Sequence, residues 1–207
     1  MGSANTKDCI LDTAEQLFAE NGFAGTSLRD ITGEAGVNLA SVNYHFGSRE
    51  ALILAVFERR LVPMNDERLR RLQCLEEQGD MPLPSLVRAF IGPALEMSRD
   101  PGGARFIRLL GRSYTEPRGA VHDKVRGLYE EVVMRFRPAF ARALPQLPAE
   151  ELYWRLHFLL GVLAYCMAGS DIMQLIASSS PPKPDDTDVL IQRLTAFLVG
   201  GMEAPLA

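Results

Sequence analysis

Apolar residues recur along this chain at the 3.6-residue spacing of amphipathic helices, and nowhere do they alternate as half-buried strands do. Ile10, Leu11, Ala14, Leu17 and Phe18 predict a helix over 6–21, stopped by Asn21-Gly22. Leu28, Ile31 and Ala35 place a short helix after Ser27, whose pairing with Asp30 three residues on resembles a capping box. Gly36 then turns the chain, because glycine takes positive φ without steric cost, and Asn38 stands where the next helix needs an N-cap. Val42 and Phe46 are the apolar pair of that helix. Ser48 caps a longer one running to about Leu61, with Leu52, Val56 and Phe57 inward, and Pro63 marks a break or kink before 66–75.

From about residue 80 the stripes lengthen. Leu86, Val87, Phe90, Ile91, Ala94 and Leu95 share a helix kinked at Pro93. Over 104–112, Phe106, Ile107 and Leu110 oppose Arg105, Arg108 and Arg112, either a solvated basic face or the mouth of an anion-accepting pocket. One helical period continues from Val121 to Phe140. Residues 150–168 are apolar nearly all round, so that helix must be covered on every side. A proline- and serine-rich loop over 178–184 precedes a last stripe of Leu190, Ile191, Leu194, Phe197 and Leu198. The fold class is all-α.

Helix, glycine turn and capped helix over about twenty residues is the layout of a helix-turn-helix, whose second helix enters the DNA major groove. A plain helical hairpin has the same spacing. The surface of the second helix separates the two readings: Ser41, Asn43, Tyr44 and His45 crowd it, and short hydroxyl and amide groups suit base edges and phosphate oxygens. The stretch GTSLRDITGEAGVNLASVNYHFGSREAL resembles the DNA-binding region of the tetracycline-repressor (TetR) family of bacterial regulators. Gly25-Thr26-Ser27, Ile31, Ala35-Gly36-Val37, Ser41, Tyr44-His45-Phe46, Ser48, Glu50 and Leu52 carry the resemblance. It covers roughly the first sixty residues.

The resemblance implies a three-helix helix-turn-helix DNA-binding domain over 1–50 and a helical ligand-binding and dimerisation domain over 51–207, with a linker helix at about 49–61. It also implies a homodimer, double-stranded DNA with two inverted half-sites as operator, and a small molecule that releases the protein. Candidate DNA contacts are Ser27, Arg29, Asn38, Leu39, Ala40, Ser41, Asn43, Tyr44, His45 and Arg49. Arg49 is included because a cation in the first turn opposes the helix dipole, which a phosphate contact would offset. Asn43 stands where the family often has Tyr, and Leu39 where a small or polar residue is frequent, so no operator sequence carries over.

Composition changes the picture in two places. Net charge is −4, and the first sixty residues hold five Lys and Arg against eight Asp and Glu. A binder relying on the phosphate field is basic, so here the charges must be placed rather than numerous. Cys9, Cys74 and Cys166 match no zinc or disulfide spacing, and no basic-then-apolar leader opens the chain, which leads us to expect a reducing cytoplasm. Leu156 to Ala168 is too short to span a bilayer, so no membrane partner is expected. His45, His122 and His157 fit no metal spacing, and there is no phosphate loop or nucleophile elbow; neither enzyme activity, cofactor nor metal is expected.

A ligand cavity is expected among Phe90, Phe106, Leu110, Tyr114, Phe136, Phe140, Phe158, Val162, Tyr165 and Met173, although helical stripes are more often core. WRLHFLLGVLAY loosely resembles TetR-type proteins that answer fatty acids or acyl thioesters. Trp154, Leu160, Leu163, Leu190, Leu194 and Phe197 are the candidate dimer interface, as two late helices pairing with their symmetry mates. The function read from the sequence is a ligand-responsive DNA-binding regulator, a repressor released by a small apolar or amphipathic effector. The alternative is a helical small-molecule-binding protein without DNA-binding activity, which the acidic first sixty residues and Leu39 favour.

Overall fold

A computed structural model describes residues 3–113, 120–168 and 186–206. Among these the chain forms α1 (Ser3–Asn21), α2 (Leu28–Glu34), α3 (Leu39–Phe46), α4 (Arg49–Gln78), α5 (Leu83–Met97), α6 (Pro101–Ser113), α7 (Ala120–Gly127), α8 (Glu130–Ala143), α9 (Ala149–Ala168) and α10 (Thr187–Met202), and no strand. The expected loop over 178–184 lies outside the described residues.

α1 to α3 form a small three-helix unit. Ile10, Ala14 and Phe18 of α1, Ile31 of α2 and Val42 of α3 are fully buried, together with Leu52 and Val56 of α4. The turns are fixed locally. The Ser27 hydroxyl accepts from the Asp30 N–H at 3.2 Å while the Asp30 carboxylate accepts from the Ser27 N–H at 2.8 Å, closing a full capping box. Gly36 and Gly47 turn the chain at φ +64° and +79°, a region closed to most residues with a Cβ.

α4 corrects the expected end near Leu61. It continues unbroken through Pro63 to Gln78. Pro63 sits on the exposed side, while Leu61, Met64, Asn65, Arg68 and Leu72 keep the inner face buried across it. One lost backbone hydrogen bond is offset by burial on both sides of it. The stripe from Val121 to Phe140, by contrast, is two helices, parted by a turn in which the Tyr129 N–H donates to the Arg126 carbonyl at 3.0 Å.

α4 ties the molecule together. Glu15 of α1, buried at 2 % exposure, accepts from Arg59 at 2.8 Å and Arg60 at 2.9 Å, and Arg59 also holds Asp12 at 2.7 Å. Farther along, Arg71 pairs with Glu96 of α5 at 2.6 Å, and Glu76 receives Arg135 and Arg142 of α8 at 2.8 and 3.0 Å. In the second half α10 lies along α5 and α6 lies along α9. Gly111 permits the latter contact: a Cβ there would come within 2.5 Å of the Ala168 backbone nitrogen.

Candidate nucleic-acid interface

α3 is seated by one buried residue and presents most of the rest. Val42 is fully buried, and Phe46 and Val37 pack against the core. Leu39, Ala40, Asn43 and Tyr44, at i, i+1, i+4 and i+5, form one continuous exposed face; Leu39 is 45 % and Tyr44 82 % exposed. Ser41 and His45 border it, half-buried, with the His45 ring edge-on to Tyr44 at 5.0 Å. Asn38 caps the helix, its Oδ1 accepting from the Ser41 N–H at 2.8 Å and from the Ser41 hydroxyl at 3.0 Å. Arg29 of α2 is exposed, and Ser27 is exposed although its hydroxyl serves the cap.

Arg49 departs from the expectation. Its guanidinium turns inward, donating to the carbonyl oxygens of Phe23 and Thr26, the latter at 3.2 Å, with Phe18 beneath it at 5.9 Å from the ring centroid. Both carbonyls belong to the α1–α2 connection, so one amino group of the guanidinium, Nη2, fixes that turn to the start of α4. That contact gives Arg49 a positioning role within the reading unit.

The second site is a cavity of about 340 Å³ between α5, α8 and α9. Phe90, Phe136 and Phe140 line it as expected. Phe106 and Leu110 do not; at 0 % and 1 % exposure they are core between α6 and its neighbours. Phe158 and Tyr165, 61 % and 45 % exposed, project outward instead, and Val162 is half-buried away from the cavity. Tyr114 and Met173 lie outside the described residues. Val133, Arg137, Leu152, Tyr153, Leu156 and His157 also line the cavity and were not expected there. A signal existed: Val133, Phe136, Arg137 and Phe140 recur at i, i+3, i+4 and i+7.

Of the candidate interface residues, Trp154, Leu160 and Phe197 are exposed at 45 %, 40 % and 68 %, and Leu190 is half-buried. Leu163 and Leu194 are corrected: at 2 % and 6 % exposure they belong to the chain's own core. The rows they share with Leu159 and with Ile191 and Leu198 face inward. Among the described residues no cluster of His, Cys, Asp or Glu could hold a metal ion, and no helix is long and apolar enough to cross a membrane.

Comparison with known proteins agrees with this arrangement. Residues 10–56 match the profile described as bacterial regulatory proteins, tetR family, and residues 88–201 match that of the tetracyclin repressor-like C-terminal domain. The chain is 31 % identical over 94 residues to YerO, an uncharacterized HTH-type transcriptional regulator of Bacillus subtilis (strain 168), covering 45 % of this chain and 32 % of that one. It is 44 % identical over 46 residues to IcaR, the biofilm operon negative transcriptional regulator of Staphylococcus aureus (strain Newman), covering 22 % and 25 %. These matches span a third or less of either relative's length. The solved TetR family regulator PfmR of Thermus thermophilus superposes with a TM-score of 0.67 over 94 % of this chain and 99 % of that one, at 18 % identity, a likeness of fold.

Proposed function

The chain belongs to the tetracycline-repressor family of bacterial transcriptional regulators, and from that membership we propose that it is a repressor, acting as a homodimer on an inverted-repeat operator and released by a small, largely apolar effector. The observation that carries the DNA-reading part is the free face of α3. Tyr44, 82 % exposed, shares that face with Asn43, Ala40 and Leu39 on a helix whose own end is already capped by Asn38. A large aromatic and an amide held outward on a rigid support suit contact with bases and sugar-phosphate, and Leu39 and Ala40 suit a thymine methyl. Ser27, Arg29, Ser41 and His45 flank that face as backbone contacts, and the half-site reader is residues 1–50, with 51–207 as effector and pairing domain.

Pairing is assigned to the outward faces of α9 and α10, where Trp154, Phe158, Tyr165 and Phe197 are exposed large apolar side chains. The effector is assigned to the cavity between α5, α8 and α9. α4 borders both α5 and the reader, so a shift of α5 would alter the separation of the two copies of α3, which must meet successive major grooves about 34–36 Å apart. Repressor polarity is supported by the role of the relative IcaR as a negative regulator. Selection from random duplexes with the full chain, followed by sequencing, tests the reading. Enrichment of one inverted repeat is expected; recovery of no repeat would leave only a helical ligand-binding protein.

A further inference from the structure

The cavity between α5, α8 and α9 is apolar in depth and cationic at one point of its wall. Phe136, Phe140, Leu152 and Leu159 are buried around it, whereas Arg137 and His157 are exposed at its rim. Among the described residues no acidic side chain lines it. The other arginines of α8 are engaged elsewhere, since Arg135 and Arg142 both hold Glu76 of α4. Arg137 has no hydrogen bond or ion pair to any described residue, and Glu151, next in sequence to the lining residue Leu152, is occupied by Arg155 at 2.7 Å. A guanidinium with no carboxylate of its own, next to an apolar chamber, offers a planar fork of donors that an oxyanion fits and a neutral or cationic head group does not.

We propose that the effector is an amphipathic monoanion: an aliphatic or aromatic body seated against Phe90, Phe136, Phe140 and Leu159, and one carboxylate-like group on the Arg137 guanidinium, with the His157 ring as a second donor. This rests on the assignment of the cavity as the effector site and adds the charge of its occupant. The chamber, about 340 Å³, lies near the small end of ligand sites, which run from about 300 to 1,000 Å³, so the body is a single short chain or ring system.

Calorimetric titration of the full chain with decanoate, 1-decanol and decyltrimethylammonium tests the proposal, because the three share a tail and differ in head charge. Decanoate is expected to bind about tenfold more tightly than decanol, as one charge-assisted contact allows, with the cation weakest. Arg137→Gln, at an exposed position, should bring decanoate to the level of decanol and leave decanol unchanged. Leu156→Trp, or Val133→Phe at the rim where the first fails to fold, should weaken both by filling the chamber. Equal binding of acid and alcohol in the wild type, or a preference that survives Arg137→Gln, overturns the anionic assignment while the apolar effector site stands. Absence of binding by all three, or binding indifferent to both cavity-filling variants, overturns the effector site and this proposal together.

Discussion

Arg49 and Asn38 show how differently two residues of one motif are read from sequence. The Asn38 cap was legible because its partner, the Ser41 N–H, lies three residues away, and local hydrogen bonding follows from residue type and spacing. The partners of Arg49 are carbonyls of Phe23 and Thr26, which spacing cannot bring together. Arg49 is indeed a cation in an unfavourable first turn, but what offsets that position is inside the protein. Arg49→Ala should therefore lower stability by about 1.5–3 kcal/mol in thermal unfolding, the range for hydrogen bonds to a charged group, and Arg49→Lys should recover only part of it. A variant with wild-type melting and lost DNA affinity would return Arg49 to the phosphate. The acidic balance of the reader is unchanged by its ion pairs, which consume as many cations as anions. Asp12 and Glu15 are bound by Arg59 and Arg60 along α1 and α4, and Asp30 closes the cap of α2.

Helices were legible wherever a stripe was uniform, and misjudged where a proline or a short turn interrupted one. Pro63 looks like a boundary because an isolated helix loses a bond there; the packing that outweighs it comes from residues distant in sequence. The contact of α6 with α9 could not be read at all, because Gly111 looks like any helical glycine until Ala168 is placed beside it. Gly111→Val should cost about 1–3 kcal/mol or force the two helices apart, measured by denaturant unfolding. An unchanged midpoint would show that the helices part freely. The ion pairs of Glu67 with Arg70 and Arg71 along α4 carry a pH signature. Hydrogen bonds from Arg70, then from Arg71, hold the Glu67 carboxyl down to about 2, so its stabilising contribution is complete above its ordinary value of 4.5 and is lost as pH falls towards 2. Glu67→Gln should flatten that acid limb of melting temperature; the change is small because these side chains are partly exposed. A limb identical to wild type would mean that other carboxylates set it.

At the level of the whole molecule, the sequence disclosed a reader, a core and an apolar surplus, but not how the surplus divides between cavity, core and partner. α9 is apolar on almost every side, so periodicity could not separate Leu163, which is buried, from Phe158, which is exposed. The exposed set now defines the proposed pairing face. Replacing Phe158 and Phe197 together by Arg should give a folded monomer in sedimentation, whereas a persistent dimer would place the interface elsewhere. Two α3 helices reading two half-sites at once is the central claim. Its most direct test is equilibrium binding of the full chain, at fixed salt, to the selected inverted repeat and to the same duplex with one half scrambled. Scrambling either half should lose about a hundredfold or more in affinity, and Tyr44→Ala about tenfold or more on the intact repeat with unchanged melting temperature. Equal affinity for intact and half-scrambled duplexes, or full affinity in Tyr44→Ala, would contradict it.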